Sequence, residues 1–294
     1  MRNLNQVQME SRICLLTGAN SGIGRVTALE LARKGFDIVM LCRDLKKARP
    51  VQQEIKRVSK TGQVDLLWCD LAVQTSVIQA AHEVTGRYDR LDVLINNAGL
   101  YIEKEQYTPE GIELTFATNH LGAFLLTNLL TGLLQKGTHA RVITVSSEAH
   151  RWDSGFIIDE LPKPAHYDGM KAYGASKLCN ILFARELADR LAGYGITSNS
   201  VHPGLVKTSF AKNYSNLQGL LFNMMRPFFI SSEKGAETSI YLASSPEVDQ
   251  VTGLYFAKCR PKVPSAAAQS KYYASQLWTL SENLTQLQQH QVAF

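Results

Sequence analysis

The sequence lacks the features that would place it in a membrane or divide it into repeats or separate domains. Its 294 residues contain no run of roughly 18 uncharged apolar residues, the length that a spanning helix needs. The segment from Met1 to Arg12 is polar, so it resembles neither a signal peptide nor a membrane anchor. No repeat, low-complexity run or linker rich in proline and serine interrupts the chain. We therefore expect a soluble, cytoplasmic protein with a single domain over 1–294.

Cysteine is scarce, and its spacing fits neither paired disulfides nor a metal site. Four of the five cysteines fall in predicted strands or helices, which favours buried free thiols in a reducing compartment. They are Cys14, Cys42, Cys69, Cys179 and Cys259. His150 and His166 have no cysteine or carboxylate cluster with ligand spacing near them. We expect both to be surface histidines, and we expect no metal.

The net charge of +5 is not gathered into a basic stripe. Lysine and arginine are interspersed with acids, as in the stretch DLKKAR at 44–49. This pattern argues against nucleic acid as a partner. A small anionic ligand is the simpler reason for the positive balance.

The chain instead alternates short apolar, β-branched runs with amphipathic helical patterns. The predicted strands are Ile13–Leu16, Phe36–Leu41, Val64–Trp68, Leu91–Ile95, Arg141–Val145, Ile196–Val201 and, last, Leu254–Phe256. The predicted helices include Gly24–Lys34, Leu45–Lys60, Gln74–Arg87, Gly111–Leu134 and Tyr173–Leu191. The alternation predicts an α/β fold, a Rossmann-like doubly wound parallel sheet of about seven strands with helices on both faces. Ligands of such a sheet bind beyond the carboxyl ends of its strands.

A glycine-rich turn, TGANSGIG at 17–24, follows the first predicted strand. Glycines permit a tight turn and let backbone amides approach a pyrophosphate at the start of a helix. The spacing Gly-x-x-x-Gly-x-Gly differs from the general dinucleotide pattern Gly-x-Gly-x-x-Gly. The candidate contacts are Gly18, Asn20, Ser21, Gly22, Ile23 and Gly24. An ordinary strand-to-helix turn is the alternative.

The end of the second predicted strand indicates which dinucleotide would bind. An NAD-binding fold usually carries an acid about 20 residues past the glycines, to bind the ribose 2′-hydroxyl. Here Cys42 and Arg43 occupy that place. A guanidinium can bind a 2′-phosphate with paired hydrogen bonds, so we predict NADP(H) in preference to NAD(H). Asn20, Ser21, Arg25 and Lys47 could assist, and a solvated surface role for Arg43 is the alternative.

Tyr173 and Lys177 lie one helical turn apart, on one face of a predicted helix. An ammonium at roughly 4 Å in an effective dielectric near 20 attracts a phenolate by about 4 kcal/mol, or about three pKa units. That effect would bring the tyrosine pKa from about 10 to near neutrality, where acid–base catalysis is effective. Such a pair is also common as a structural feature of helices. Ser147 follows the fifth strand, and strand alternation turns its neighbour Ser146 elsewhere.

Together these motifs resemble the short-chain dehydrogenase/reductase family. The matching motifs, in family order, are the turn 17–24, Asp70-Leu71, Asn96-Asn97-Ala98-Gly99, Asn119, Ser147, Tyr173-x-x-x-Lys177 and Pro203-Gly204-x-x-x-Thr208. Further phrases resemble the retinol dehydrogenase-type branch, at 41–44, 118–122, 145–150, 176–178, 202–204 and 253–256. The resemblance runs from about residue 11 to about residue 284, but the hydrophobic anchor of the membrane-bound members has no counterpart at 1–12.

The resemblance implies an NADP(H)-dependent oxidoreductase. Its reaction would interconvert a lipophilic aldehyde or ketone, with retinal as one candidate, and the corresponding alcohol by hydride transfer. The implied catalytic set is Asn119, Ser147, Tyr173 and Lys177, where Ser147 hydrogen-bonds the substrate oxygen, Lys177 binds the nicotinamide ribose and Asn119 anchors a proton-relaying water. Tyr173 and Lys177 are also implied cofactor contacts, and the others are Asp70, Leu71, Asn97, Ala98, Gly99, Pro203, Gly204, Val206 and Thr208.

The family resemblance also divides the chain into regions. The core spans about 11–205, the substrate lid region about 206–252 and the C-terminal tail about 260–294. The stretch between Ser147 and Tyr173 is longer than is usual in the family, which predicts an active-site insertion. A core helix or a patch that touches a membrane would show the same apolar pattern as a lid. The large apolar residues of the lid region are Leu220, Leu221, Phe222, Met224, Met225, Phe228 and Phe229. A lid of this kind would favour bulky lipophilic substrates.

Three other functions stay open at this point. Cys179 is a feature of the related protochlorophyllide reductases, which reduce a C=C bond. A non-catalytic NADP-binding sensor would keep the glycine turn, and a nucleotide-sugar epimerase or dehydratase would share the fold. Helices after strands four and five often form dimers in this family, so both a homodimer and a monomer are open.

Overall fold

One sheet of eight strands organises the computed structural model, which describes residues 11–152, 156–206 and 229–291. The strands are β1 Ile13–Thr17, β2 Asp37–Cys42, β3 Val64–Trp68, β4 Val93–Asn96, β5 Arg141–Val145, β6 Thr197–His202, β7 Tyr255–Ala257 and β8 Arg260–Pro261. Their order in the sheet is β3-β2-β1-β4-β5-β6-β7-β8. All neighbouring pairs are parallel except β7 and β8. The predicted doubly wound parallel sheet is confirmed.

The eighth strand was not predicted from the sequence. It has two residues, too few to carry a hydrophobic pattern, and it pairs back onto β7 through Lys258 and Cys259. Both of these residues have positive φ, 53° and 58°, which produces the tight reversal. The other strands lie within two residues of their predicted bounds. Every residue of β5 is buried, as expected of a strand covered on both faces.

Helices cover both faces of the sheet. They are α1 Gly22–Arg33, α2 Leu45–Val58, α3 Gln74–Arg87, α4 Leu114–Phe116, α5 Gly122–Leu129, α6 Thr131–Gln135, α7 Gly169–Leu191, α8 Ser232–Ser244, α9 Lys271–Thr285 and α10 Leu287–Gln291. Helix α7 begins before the predicted Tyr173, because the Asp168 carboxylate caps the backbone amides of Met170 and Lys171. The α7 helix thus carries Tyr173 in its second turn rather than at its frayed end.

The predicted continuous helix Gly111–Leu134 is wrong in part. A π-helical turn at Ala117–Leu121 separates α4 from α5, and α5 ends before Leu130. The start of α4 is set by Glu113, whose carboxylate accepts hydrogen bonds from the amides of Thr115 and Phe116 at 2.8 and 2.6 Å. π turns inside helices are frequently found at functional sites.

The C-terminal tail forms a helix that packs against α5 and α7. Trp278 on α9 lies 4.9 Å from Phe124 and 6.0 Å from Phe183, measured between ring centroids. All three belong to one buried cluster on this face of the sheet, and a second cluster fills the opposite face. The tail is therefore part of the core.

The sheet reverses its strand order between β1 and β4, whose carboxyl ends are Thr17 and Asn96. A crevice for a ligand is expected there. Of the predicted lid region, 207–228 lies outside the described residues, and with it Thr208 and six of the seven apolar residues named above; α8 and Phe229 lie within them. Within the described ranges, no helix is both long and apolar enough to cross a membrane.

Candidate active site

The glycine turn follows β1 and lies beside the loop after β4, at the point where the strand order of the sheet reverses. Gly18 and Gly22 have positive φ, 67° and 51°. The Thr17 hydroxyl accepts hydrogen bonds from the amides of Asn97 and Ala98, both at 3.0 Å, and the Asn97 side chain donates to the Thr17 carbonyl at 2.9 Å. A Cβ on Gly24 would collide with the Gly18 carbonyl. The close packing of bare backbone at this edge fits the pyrophosphate of a dinucleotide.

Three basic residues near this turn have different partners. Arg25 forms a two-point ion pair with Glu54, and its Nε lies 2.7 Å from Oε2. Lys47 lies 3.0 Å from the Asp44 carboxylate. Arg43 is 65% exposed, and its nearest carboxylate contact is the Asp70 Oδ2 at 4.0 Å. Of the three, Arg43 has the longest contact with a carboxylate, and the least is therefore lost when a phosphate replaces that contact.

Asp70 and Leu71 follow β3 and help to shape the same edge. The Asp70 Oδ1 accepts from the amide of Ala72 at 3.0 Å, and the Asp70 amide donates to the Ser76 hydroxyl at 2.8 Å. The Leu71 carbonyl lies so close to Gly122 that no Cβ fits there. Asp70 keeps 21% of its side chain exposed.

Asn119 lies on the π turn and is buried, with 1% exposed. Its Nδ2 donates to the Leu100 carbonyl at 2.9 Å and to the Ser176 hydroxyl at 3.0 Å, and its Oδ1 accepts from the Leu100 amide at 2.7 Å. A Cβ on Gly99 would stand 3.1 Å from Lys177 Nζ and 3.3 Å from Asn119 Oδ1. Asn119 thus joins the loop after β4 to the helix that bears Tyr173 and Lys177.

The predicted catalytic residues Ser147, Tyr173 and Lys177 come together at the carboxyl end of β5. The Ser147 side chain acts on the Tyr173 phenol and lowers its pKa. Lys177 is buried, with 3% exposed, and its Nζ donates to the Val145 carbonyl at 3.2 Å. The same Nζ lies 5.6 Å from the centre of the Tyr173 ring. Ser146 turns away as expected, because its hydroxyl donates to the Lys177 carbonyl at 2.6 Å.

The electrostatics of this set differ from the sequence-based expectation. Burial raises the pKa of Tyr173 to about 12, although the hydrogen bond from Ser147 opposes the shift. Burial also lowers the pKa of Lys177 to about 8. The sequence-based expectation of a Tyr173 pKa near neutrality included only the attraction of the lysine. Removing both groups from water also disfavours their charged forms. In this environment the phenol keeps its proton at neutral pH.

The insertion between Ser147 and Tyr173 is bonded to the segment that follows β4. The Tyr167 hydroxyl donates to the Ile102 carbonyl at 2.7 Å, and the Glu113 amide donates to the Pro162 carbonyl at 2.8 Å. The buried ring of Tyr101 meets the Tyr173 ring edge-on at 6.2 Å. Tyr101 is therefore a site residue that sequence reasoning missed; its position two residues after Gly99 was the available signal.

Beyond β6, Gly204 has a φ of 95°, and Val206 pairs with Ile230 in an isolated parallel bridge. Pro203 precedes that turn at the end of the strand. These three residues lie at the same edge of the sheet as the glycine turn, since all parallel strands end there.

The two histidines of the insertion behave differently from each other. His166 is exposed, as expected, but the prediction of a surface position for His150 is wrong, because only 1% of it is exposed. Its ring nitrogens contact the Ser147 carbonyl and the Ser265 amide, contacts that no spacing in the sequence could indicate. In the ranges that the structure describes, no group of three or more His, Cys, Asp or Glu side chains could hold a metal.

None of the five predicted thiols is in a disulfide. Cys14, Cys42, Cys69 and Cys179 are buried, and Cys259 is partly exposed. Cys179 is in the hydrophobic cluster beneath α7 and α9, among Leu178, Ile181 and Leu277. Its location there favours a packing role.

Comparison with known proteins agrees with this architecture. The chain is 41% identical over 291 residues to retinol dehydrogenase 14 of Homo sapiens, covering 93% of this chain and 86% of that protein. It is 38% identical over 292 residues to the WW domain-containing oxidoreductase of Gallus gallus, covering 97% of this chain and 70% of that protein.

Solved structures show the same fold. An uncharacterised protein from Mycobacterium paratuberculosis is similar with a TM-score of 0.75 and 34% identity, over 94% of this chain and 93% of that one. Pseudomonas aeruginosa RhlG, in an active-site complex with NADP, is similar with a TM-score of 0.68 and 25% identity, over 84% of this chain and 94% of that one. The family model described as short chain dehydrogenase matches residues 12–218. The chain belongs to the short-chain dehydrogenase family.

Proposed function

We propose that this protein is an NADP(H)-dependent oxidoreductase that interconverts a lipophilic aldehyde or ketone and the corresponding alcohol. The observation that carries the proposal is that the hydroxyls of Ser147 and Tyr173 come together at the carboxyl end of β5, beside the buried ammonium of Lys177. Two hydroxyls that meet in this way can both reach one carbonyl oxygen. A proton donor and a second donor that holds the oxygen are what carbonyl reduction requires.

Each residue has a distinct task in the proposed reaction. The bound cofactor supplies the hydride for reduction and accepts it in the reverse direction. Tyr173 gives its phenolic proton to the carbonyl oxygen, and Ser147 holds that oxygen by a hydrogen bond. Lys177 stabilises the phenolate that remains, and it can replace the lost proton because burial places its pKa at about 8.

Asn119 acts through position in this scheme. Both ends of its amide are bonded to Leu100 and Ser176, so the side chain fixes the π turn and the loop after β4 on either side of Lys177. We propose that this arrangement places the path along which protons reach Lys177. The glycine turn, Asp70 and the stretch Asn97–Gly99 would hold the dinucleotide, and Arg43 would bind its 2′-phosphate.

The preference for a lipophilic substrate rests on the side chains beside Tyr173. Tyr101 packs against the Tyr173 ring. Trp152 is 47% exposed, and its Cβ lies 3.7 Å from the position that a Cβ on Gly174 would take. Retinol dehydrogenases among the relatives are named for an apolar alcohol. Apolar walls stabilise a bulky ligand by about 25 cal/mol per Å² of surface removed from water.

A carbonyl panel tests the function. Acetaldehyde, medium-chain aldehydes, long-chain enals and retinal are each mixed with protein and NADPH, and the loss of nicotinamide absorbance is followed. We expect kcat/KM to rise with apolar size, and Tyr173→Phe to lower kcat by about 100-fold or more, with the Kd of NADPH nearly unchanged. Tyr272→Phe, which alters a 68% exposed tyrosine, is the matched control.

Two results would count against the proposal. Retention of more than about a tenth of wild-type activity in Tyr173→Phe would remove this tyrosine from the proton-donor role. If kcat/KM were highest with acetaldehyde, the proposed preference for lipophilic substrates would be wrong, but the proposed carbonyl reduction would stand.

A further inference from the structure

His150 is a buried histidine to which the proposed chemistry assigns no step. It lies on the 3₁₀ turn Glu148–Arg151 that follows Ser147. Its Nδ1 lies 2.7 Å from the Ser147 carbonyl oxygen, and its Nε2 lies 3.0 Å from the backbone nitrogen of Ser265. A backbone N–H can only donate, so Nε2 is the acceptor. The ring proton is therefore on Nδ1, and it is donated to the Ser147 carbonyl.

The contact with this carbonyl bears on the direction of the Ser147 hydroxyl. Ser147 is extended, and its Oγ already accepts from the Ala149 amide at 3.2 Å. On the other side, the Ser146 amide donates to the Val201 carbonyl at 2.8 Å. The peptide between Val145 and Ser146 is thus held by β6, one residue before Ser147. The peptide that follows the Ser147 Cα is held at its carbonyl, which accepts from the His150 ring and also from the His150 backbone amide at 3.2 Å. The Cβ and hydroxyl of Ser147 are then held as well.

The ring of His150 is itself held by the last strands. Tyr255 on β7 packs edge-on against it at 5.2 Å and donates its hydroxyl to Glu148 at 2.7 Å. The Lys262 ammonium lies 3.0 Å from the same carboxylate. Arg151 donates to the Val263 carbonyl at 2.6 Å. The serine turn is thereby joined to the segment 262–265, at the start of the C-terminal tail.

The same turn also contacts the helix of the proton donor. A Cβ added at Gly174, the residue after Tyr173, would stand 2.8 Å from the Ala149 carbonyl. The spacing between the serine turn and α7 is thus set by backbone contact. A shift of the turn would change the distance between the Ser147 and Tyr173 hydroxyls.

We propose that His150 is a positioning residue that aims the Ser147 hydroxyl and makes its placement depend on the segment around Ser265. The inference rests on the proposed function, since it treats Ser147 as the group that holds the substrate oxygen. Misplacement of a catalytic group by about 1 Å can lower a rate by about 100-fold, so a support of this kind should be visible in kcat.

Three substitutions separate the two hydrogen bonds of the ring. The amide nitrogen of Asn falls near the place of Nδ1, so His150→Asn can keep the bond to Ser147 and loses the one to Ser265. The longer His150→Gln places its amide near Nε2, where it can keep the bond to Ser265 and loses the one to Ser147. His150→Ala loses both, and His166→Ala at an exposed position is the control.

We expect kcat to fall about 10-fold or more in His150→Ala and His150→Gln, but by no more than about 3-fold in His150→Asn. The Kd of NADPH, measured by nicotinamide fluorescence, should stay within about 2-fold in every variant, since the hydrogen bonds of the His150 ring go to Ser147 and Ser265, and neither is a proposed cofactor contact. Equal kcat in all variants would overturn the inference. Equal losses of kcat in the three His150 variants, in parallel with their melting temperatures, would also overturn it and leave His150 a structural role.

A second readout does not depend on turnover. In protein labelled with ¹⁵N-histidine, a resonance from an Nδ1-protonated neutral ring should be present and should vanish in His150→Asn. An Nε2-protonated ring at this position would overturn the inference whatever the activity. If wild-type protein reduces no carbonyl in the panel, the proposed function fails separately, and this spectrum still decides whether His150 holds the Ser147 carbonyl.

Discussion

Arg43 differs from its basic neighbours in what it is free to bind. Arg25 and Lys47 each have a carboxylate at hydrogen-bond distance, whereas Arg43 and Asp70 are 4.0 Å apart and most of the Arg43 side chain is exposed. A contact of this length at the surface contributes at most about 1 kcal/mol. A phosphate with two hydrogen bonds would therefore displace it readily.

The Arg43→Ala substitution should consequently weaken NADPH binding by about 10- to 100-fold, because a charge-assisted contact contributes about 1.5–3 kcal/mol. NADH binding should change little, since NADH lacks the 2′-phosphate. Both Kd values can be measured by fluorescence titration at one salt concentration. Arg49→Ala, an exposed arginine on α2, matches the change in net charge. Equal losses for the two cofactors would show that Arg43 does not distinguish them.

Identity and protonation of the site residues were not equally predictable. Ser147, Tyr173, Lys177 and Asn119 could be proposed from the sequence because their motifs resemble those of the short-chain dehydrogenase/reductase family. The tyrosine pKa could not, because burial opposes the charged form and depends on the whole surrounding fold. His150 illustrates the same limit, since its contact with Ser265 joins residues 115 positions apart.

At the scale of elements, the strands were more predictable than the helix breaks. Hydrophobic runs gave β1 to β7 within two residues, because parallel strands are buried along their length. The stretch Gly111–Leu134 has a continuous helical pattern, yet the structure inserts a π turn at Ala117–Leu121. The hydrogen bonds of Asn119 to Leu100 and Ser176 stabilise that turn. Both partners are distant in sequence, so the local pattern does not indicate the turn.

The C-terminal helix α9 offers a test of how far the core extends beyond the predicted 11–205. Trp278 is 5% exposed, packs against Phe124 and Phe183, and has the Arg190 guanidinium 4.2 Å from its ring centre. Trp278→Ala should lower the free energy of unfolding by about 3–5 kcal/mol. Tyr272→Ala, on the same helix but 68% exposed, should change it by about 0.5 kcal/mol or less.

Urea denaturation followed by circular dichroism measures both changes. A loss of similar size in the two variants would mean that α9 contributes through its helical backbone alone. A negligible loss in Trp278→Ala would mean that the tail detaches from α5 and α7 in solution.

Across the whole molecule, buried neutral histidines couple stability to pH. Burial lowers the pKa of His120 to about 3 and that of His202 to about 4, and it also lowers the pKa of His150. His120 joins the π turn to the tail, because its Nε2 lies 2.9 Å from the Ser281 hydroxyl on α9. Its ring stacks on Phe116 at 5.3 Å.

The direction of the effect follows from the two pKa values of His120. In the unfolded chain it titrates near 6.5, and in the folded protein it stays neutral down to about pH 3. Below pH 6.5 the unfolded state therefore binds a proton that the folded state does not, and the free energy of unfolding falls as the pH is lowered through this window. At pH 5 the loss from one such histidine is about 2 kcal/mol.

His120→Gln should therefore unfold more easily than wild type at pH 7, yet lose about 2 kcal/mol less between pH 7 and pH 5. Urea unfolding at pH 7, 6 and 5 gives the three free energies for each protein. His166→Gln, at an exposed position, should parallel wild type throughout. If the His120→Gln curve also ran parallel to wild type, His120 would have to take up its proton in the folded state. Burial would then not keep the ring neutral, and the acid sensitivity of the molecule would come from other groups, among them His150 and His202.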